Sequence, residues 1–277
     1  MKVEIVYKND FRARSLAGEL HDNLQARGVE AELLSSAKLP ETANQLTVDL
    51  VFVLGGDGSL LQTARYFAST GTPIIGVNLG TVGFLSSVEP EDLQFYLDAV
   101  LRQEYDLDAR IMIAATVTRD KQVLYQGIAL NDVVIRSRVP HTILVALRID
   151  GRPHTTYQAD GLVCATPTGS TAYSFSAGGP VIDAGLEALV ITPICPHLSS
   201  SRSLVVSASS RLSFELDSDY NTDISVDGQE EMPLAKGDQV QIEQSGLVTN
   251  LVRLKQVSRL EKIKYLRSKQ YVESSAG

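Results

Sequence analysis

The sequence predicts an α/β N-terminal half followed by a mostly β C-terminal half, on three observations. Short apolar runs alternate with helix-period segments through the first hundred residues. One of these runs, Leu50-Val51-Phe52-Val53-Leu54, passes directly into Gly55-Gly56-Asp57-Gly58 and then into a helix-forming segment. After Asp108 the chain turns into short strand-like runs separated by turn residues. Strands alternating with helices imply a parallel sheet covered on both faces. Runs of short strands imply a β body.

Val3–Tyr7 reads as the first strand. Ala13–Arg27 has helical spacing through Leu16, Leu20 and Leu24, and Gly28 is placed to end it. Ala31–Leu34 and Leu50–Leu54 read as strands. Leu60–Ser69 reads as a helix ending near Gly71, Pro73–Asn78 as an apolar strand, and Glu91–Arg102 as a helix after Pro90. The result is a Rossmann-like parallel sheet. In such sheets ligands sit beyond the carboxyl ends of the strands, where Gly55–Gly58 and Asn78–Gly83 both fall. Beyond Asp108, strands are expected at Ile111–Arg119, Gln122–Ala129, Val133–Arg136, Ile143–Ile149, Gly161–Ala165, Leu204–Ser207, Leu212–Leu216, Ile224–Val226, Gln239–Glu243 and Leu251–Leu254. Asp150-Gly151, Asp227-Gly228 and Lys236-Gly237-Asp238 are turn signals. The expected division is 1–108, 109–255, and a tail 256–277 that packs back on the body. Arg253–Lys269 carries seven basic residues against Glu261, so an anion-binding tail is the alternative.

Bulk properties narrow the function. The 277 residues are 44% hydrophobic, enough for a real core, and the formal net charge is −8. An acidic chain lacks the basic stripe of a general nucleic-acid binder. The first residues lack a signal-peptide core, and no stretch approaches the ~18 unbroken apolar residues of a membrane span. Cys164 and Cys195 form no framework. A cytoplasmic protein with no membrane partner is expected. The four histidines, His21, His141, His154 and His197, have no metal-ligand spacing, so no protein metal site is expected from the residues.

Two segments carry chemistry. In Gly55-Gly56-Asp57-Gly58-Ser59, the glycines let the backbone bend tightly and approach a ligand. The amides opening the following helix favour an anion. Asp57 would repel a phosphate, so it needs another role, either holding Mg²⁺ or taking a proton from an attacking hydroxyl. An ordinary turn is the bland alternative. The second segment runs from Asp160 through Thr166-Pro167-Thr168-Gly169-Ser170-Thr171-Ala172-Tyr173-Ser174-Phe175-Ser176 to Pro180. A strand enters a hydroxyl- and glycine-rich loop, then a short helix capped by Thr171 or Ser170. Such a loop suits ribose, phosphate or an adenine edge. Asn131-Asp132, between two strands, can grip a diol or an amino group, or be a polar bulge. Neither a serine nucleophile elbow nor a Gly-x-x-x-x-Gly-Lys-Ser/Thr loop is present.

These segments, together with Gly76-Val77-Asn78-Leu79-Gly80-Thr81-Val82-Gly83-Phe84-Leu85, occur in an order that closely resembles the bacterial NAD kinase family, from about residue 1 to about 255. The hydroxyl loop is specific to that family; the Gly-Gly-Asp-Gly turn is shared with lipid kinases and phosphofructokinases. The resemblance implies a sandwich-like C-terminal domain carrying most NAD contacts. It implies transfer of the ATP γ-phosphoryl to the 2′-hydroxyl of the adenosine ribose of NAD, with Asp57 as proton acceptor. Gly55, Gly56, Gly58 and Ser59 would meet the ATP phosphates, with Mg²⁺ or another divalent metal neutralising them. Asp57, Gly58, Asn131, Asp132, His141, Asp160, Thr168, Thr171, Ala172, Tyr173, Ser176 and Gln229 would contact NAD. A homo-oligomer, tetramer or dimer, is implied. Asp132 stands where many members have glutamate, and Gln158 where some have a basic residue. A lipid or sugar kinase using the same turn, and a non-catalytic nucleotide-binding regulator, are the competing readings. The hydroxyl loop argues against the first and the intact Asp57 against the second.

Overall fold

The structure, a computed structural model, describes residues 1–39, 47–80, 85, 88–197 and 202–254. The tail 256–277, residues 81–84 of the second strand-end loop and residues 198–201 after His197 lie outside the described residues. The chain divides into two compact units. The first comprises 1–63, 72–108 and the chain from Asn250; the second comprises 64–71 and 109–249.

In the first unit four strands pair in parallel in the order β2-β1-β3-β4: β1 (Lys2–Tyr7), β2 (Glu30–Ser35), β3 (Leu50–Gly55) and β4 (Ile74–Asn78). All six residues of β3 are buried, as a continuous apolar run in a sheet covered on both faces requires. Helix α1 (Phe11–Ala26) starts where the Asp10 side chain accepts the Ala13 N–H at 2.9 Å. Its buried residues Ala13, Ala17, Leu20 and Leu24 are spaced four, three and four apart and make one face. It ends as expected at Gly28, whose φ is +72°. Gly28 N–H donates to Gln25 and Val29 N–H to Leu24, the paired bonds of a glycine C-cap. Leu20 and Leu24 pack on Ile5, Phe52 and Val77 with Leu97 and Val100 of α3 (Leu93–Leu101). Between β3 and β4 runs α2 (Asp57–Phe67), which starts earlier than the apolar periodicity suggests.

The second unit contains a six-stranded antiparallel sheet in the order β12-β11-β10-β7-β14-β15. These strands are β7 (Asp132–Ser137), β10 (Gly161–Ala165), β11 (Ala188–Ile194), β12 (Leu204–Ser207), β14 (Thr222–Val226) and β15 (Glu230–Leu234). A second layer contains β8 (Ile143–Ile149), β9 (Arg152–Ala159), β13 (Leu212–Leu216) and β16 (Gln239–Arg253), with β5 (Asp106–Arg119) beside β16 and β6 (Gln122–Ala129). Val133 and Ile135 of β7 point into a core shared with Val145, Leu147, Phe214 and Val240, so the unit is a β-sandwich. Val134 points to the other face of its sheet and packs with Val163, Ala165 and Val190.

Among the strands, β9, β15 and β16 differ from expectation. β9 went unrecognised because Arg152–Thr156 is polar and exposed. Its pairing comes from the two-residue turn Asp150-Gly151, with φ of +50° and +76°, as a type I′ hairpin requires. β15 was missed because Glu230–Leu234 has only its last residue buried. β16 is one strand rather than two, because its polar centre Gln244-Ser245-Gly246 breaks the apolar pattern without breaking the backbone. Among the described residues, no helix is long and apolar enough to cross a membrane.

Candidate active site

In the first unit the described start of the second strand-end loop, Asn78–Gly80, lies beside the glycine turn. Gly55 is in register with Asn78, Leu79 N–H donates to the Gly55 carbonyl at 2.9 Å, and Gly80 N–H donates to Asn78 Oδ1 at 3.0 Å. A Cβ on Gly55 would sit 2.6 Å from Ser59 Oγ, so the tight entry into α2 needs glycine there. The Gly56 carbonyl accepts the N–H groups of Ser59 and Leu60 and starts the helix. Asp57 is its first residue, and Leu85 N–H lies 3.4 Å from Asp57 Oδ1. The helix thus opens directly at a strand end, the placement of phosphate-binding turns.

In the second unit the Thr166–Ser176 loop is built by its own hydroxyls. Thr166 Oγ1 donates to the Leu130 carbonyl at 2.6 Å and accepts Gly169 N–H at 3.1 Å. Ser170 Oγ donates to the Pro167 carbonyl and accepts Ile182 N–H; Ser174 Oγ pairs with Thr192 Oγ1. All three side chains are buried. The hydroxyl-rich composition therefore shapes the loop as much as it offers contacts. The expected cap, Thr171 or Ser170, is replaced by Ala172 at the head of the single-turn α4 (Tyr173–Ser176). Thr171 Oγ1 bonds the Thr168 carbonyl instead, and Ser170 is already committed.

The loop closes one side of a pocket of about 910 Å³ on the outer face of the six-stranded sheet. Its floor carries Asp132, Val134 and Arg136 of β7 with Asp223 and Ser225 of β14; Asn131, Ala172, Tyr173 and Asp227 border it. Of the sequence-derived NAD candidates, Asn131, Asp132, Ala172 and Tyr173 meet here. Thr168 is nearly buried and accepts from Arg110 Nη1 at 3.1 Å. Ser176 lies one turn beyond Ala172, with its Oγ on that carbonyl. Asp160 is at the far end of β7, where its carbonyl accepts Ser137 N–H. His141 stacks on Tyr220 with ring centroids 4.5 Å apart. Gln229 is on the β14–β15 turn and accepts from Arg65.

Sequence reasoning did not single out Asp227 and Arg136, which line this pocket, or Arg65, which bonds the β14–β15 turn. Asp227 was read only as a turn residue. Its carboxylate accepts the N–H groups of Leu130 at 3.0 Å, Asn131 at 2.8 Å and Asp132 at 3.1 Å. No local signal announces bonds that span 95 to 97 positions of chain. Burial pushes the Asp227 carboxyl up, against the pull of those three amides and of Arg65. Arg65, only 9% exposed, pairs with Glu230 Oε1 at 3.1 Å. Arg136 lines the pocket with no carboxylate partner among the described residues. Asp132 is pushed up to about 7, by burial first and by Asp227 second. The side-chain oxygen of Asn131 is buried without a hydrogen-bond partner.

The family described as the ATP-NAD kinase N-terminal domain matches residues 6–105, and the ATP-NAD kinase C-terminal domain matches residues 130–254. An NAD kinase of Geobacter sp. (strain M21) is 39% identical over 267 residues, covering 91% of this chain and 93% of the relative. One from Natranaerobius thermophilus is 38% identical over 240 residues, covering 86% and 82%. Among solved structures, an Archaeoglobus fulgidus NAD kinase in complex with ATP superposes with a TM-score of 0.76 at 28% identity, covering 91% of this chain and 94% of that one. Yeast NADH kinase complexed with NADH shares the fold, with a TM-score of 0.83 at 24% identity, covering 97% and 88%.

Proposed function

The chain belongs to the ATP-NAD kinase family, phosphotransferases with an alcohol acceptor, and from this premise we propose how its residues divide the work. The reaction moves the γ-phosphoryl of ATP to the 2′-hydroxyl of the adenosine ribose of NAD, giving NADP and ADP. Gly55, Gly56, Gly58 and Ser59 meet the ATP phosphates. Asp57 takes the proton of the attacking hydroxyl, whose oxygen forms the new bond to phosphorus as the bond to the leaving ADP breaks. The protein contributes mainly position and charge to such a transfer.

NAD lies on the outer face of the six-stranded sheet. The observation that carries this reading is the pocket of about 910 Å³ on which Asn131, Asp132, Ala172 and Tyr173 converge. The Asn131 carboxamide stands at its edge, where it can meet the adenine amino group. Asp132 holds the ribose, and Tyr173 and Ala172 supply the apolar wall. Asp132 and Ser137 are five residues apart, about 16 Å along a strand, and Asp160 is bonded at the Ser137 end. That length suits an extended dinucleotide with its nicotinamide toward Asp160. Arg136, lying between, is available to the diphosphate. Thr168, Thr171 and Ser176 hold the loop against the ligand. Gln229 acts from the hairpin turn. No part in the reaction is assigned to His141.

A divalent metal fits only in a restricted way. Among the described residues, no group of three or more His, Cys, Asp or Glu side chains could hold an ion. Magnesium keeps most of its waters and needs few protein ligands beside nucleotide phosphates, so an ion held mainly by the ATP phosphates fits. The ion would neutralise phosphate charge. A homo-oligomer in the cytoplasm is part of the same proposal.

The deciding experiment is NADP formation from NAD, ATP and Mg²⁺, read through an NADP-specific dehydrogenase, for wild type and Asp57→Asn. A positioned base contributes roughly 100- to 10,000-fold. The variant is expected to lose turnover on that scale while NAD binding stays near wild type. Wild-type turnover in the variant excludes Asp57 as the base.

A further inference from the structure

We propose that Arg65 is a positioning residue for the dinucleotide pocket, acting through the β14–β15 turn and Asp227 rather than by touching substrate. The proposal rests on the pocket being the NAD site. It starts from a chain of bonded groups, all within the second unit. Arg65 Nη1 pairs with Glu230 Oε1 at 3.1 Å, and Arg65 Nη2 donates to Gln229 Oε1 at 3.0 Å. The other Glu230 oxygen accepts from the Tyr125 hydroxyl at 2.7 Å. Arg65 thus holds the last residue of the turn and the residue after it, and Tyr125 holds the latter from its other oxygen. The turn itself is tight: Gln229 N–H returns to the Val226 carbonyl, and Asp227 and Gly228 both have positive φ. Its first residue, Asp227, grips the three amides of Leu130, Asn131 and Asp132. From the opposite side Thr166 holds the Leu130 and Asn131 carbonyls. The aim of the Asn131 and Asp132 side chains into the pocket is therefore set by a backbone that Asp227 fixes, and Asp227 is fixed by the turn that Arg65 anchors.

Arg65 has a second effect on the same group. Its charge favours the ionised form of Asp227 against burial, and an ionised carboxylate accepts hydrogen bonds more strongly than a neutral acid. A planar guanidinium serving two acceptors at once is not replaced by a lysine point charge. Its Nε is buried without a partner. A cation this buried, with one donor unspent, is held for the geometry it imposes.

A residue that only positions the NAD side alters binding shared by ground and transition states, which raises KM and spares kcat. The test is steady-state kinetics of Arg65→Gln, Arg65→Lys and Glu230→Gln with NAD and ATP varied separately, with melting curves beside them. Arg65→Gln is expected to raise KM for NAD about tenfold, the loss of one charge-assisted link, with KM for ATP and kcat within about twofold of wild type. Arg65→Lys is expected to recover part of that loss. Glu230→Gln, at a half-exposed position tolerant of change, should move KM for NAD in the same direction, and it carries the test if Arg65→Gln does not fold. The double variant should be no worse than Arg65→Gln alone. A fall in kcat at unchanged KM for NAD, or equal rises in KM for NAD and ATP, overturns the proposal. Wild-type protein that makes no NADP overturns the reading of the pocket instead.

Discussion

Asp227 and Asp132 hold each other in both directions: Asp227 Oδ1 accepts the Asp132 N–H at 3.1 Å, and Asp227 N–H donates to the Asp132 carbonyl at 2.9 Å. The bonds join the end of β14 to the start of β7 at the edge of the pocket. They hold one carboxylate, committed to amides, beside a second, largely buried one that lines the pocket.

Asp227→Ala strips three buried amides of their acceptor. Each unmet group costs about 1–3 kcal/mol and the costs are not additive, so a total loss of about 4 kcal/mol is expected in urea unfolding. KM for NAD should rise with it. Asp227→Asn keeps one acceptor oxygen and should fall between Ala and wild type. If Asn and Ala behave alike in both readouts, the amide bonds are not what Asp227 supplies.

Gly169→Ala tests the other side of the same backbone. The added Cβ would lie 2.0 Å from the Asn131 carbonyl oxygen and 2.4 Å from its carbon. Main-chain atoms cannot swing aside as a side chain can. A stability loss of about 3 kcal/mol is expected, with a KM for NAD more than about tenfold higher by the same displacement. A variant with wild-type melting and wild-type KM would show that the loop relaxes without moving Asn131.

Glu4 gives a pH prediction in the first unit. It lies 2% exposed in β1 with Oε2 unpartnered, and its carboxyl is pushed up to about 7, by burial first and then by Glu32. An unfolded glutamate titrates near about 4. Between those values the folded chain keeps a proton that the unfolded chain has released, so stability falls as pH rises from about 4 to about 7. Glu4→Gln removes that loss. Denaturant unfolding at pH 4 and pH 8 should show the variant gaining on wild type by about 2 kcal/mol at the higher pH, with solvent screening allowed for. Asp132, also raised to about 7, titrates in the same window, and Asp132→Asn in the Glu4→Gln background should flatten the curve further. A constant difference across pH would mean that Glu4 is ionised in the folded state.

Local chemistry made much of the protein legible in the sequence. β3, α1 with its Gly28 stop, the glycine turn before α2 and most strands of the second unit follow from apolar period and turn residues acting over a few positions. Asp57, Asn131 and Asp132 could be picked out because each sits at a strand end next to such a signal, and Tyr173 through the family resemblance. β9 and β15 escaped because their pairing is supplied by a hairpin turn and a neighbour rather than by burial of their own side chains. Asp227, Arg65 and Arg136 escaped for a related reason. Asp227 looks like any turn aspartate until β14 is laid beside β7, and Arg65 looks like a surface helix residue until Gln229 and Glu230 meet it. The hydroxyl-rich loop read as a source of ligand contacts, but the hydroxyls of Thr166, Ser170 and Ser174 are turned inward to hold the loop, and only the packed loop reveals which way each faces. The sequence by itself determined most of the elements and singled out Asp57, because those depend on neighbours along the chain. The tertiary structure decided which charges are buried, which acceptors are left unmet and which residue aims another, because those depend on groups brought together from 95 to 164 positions away.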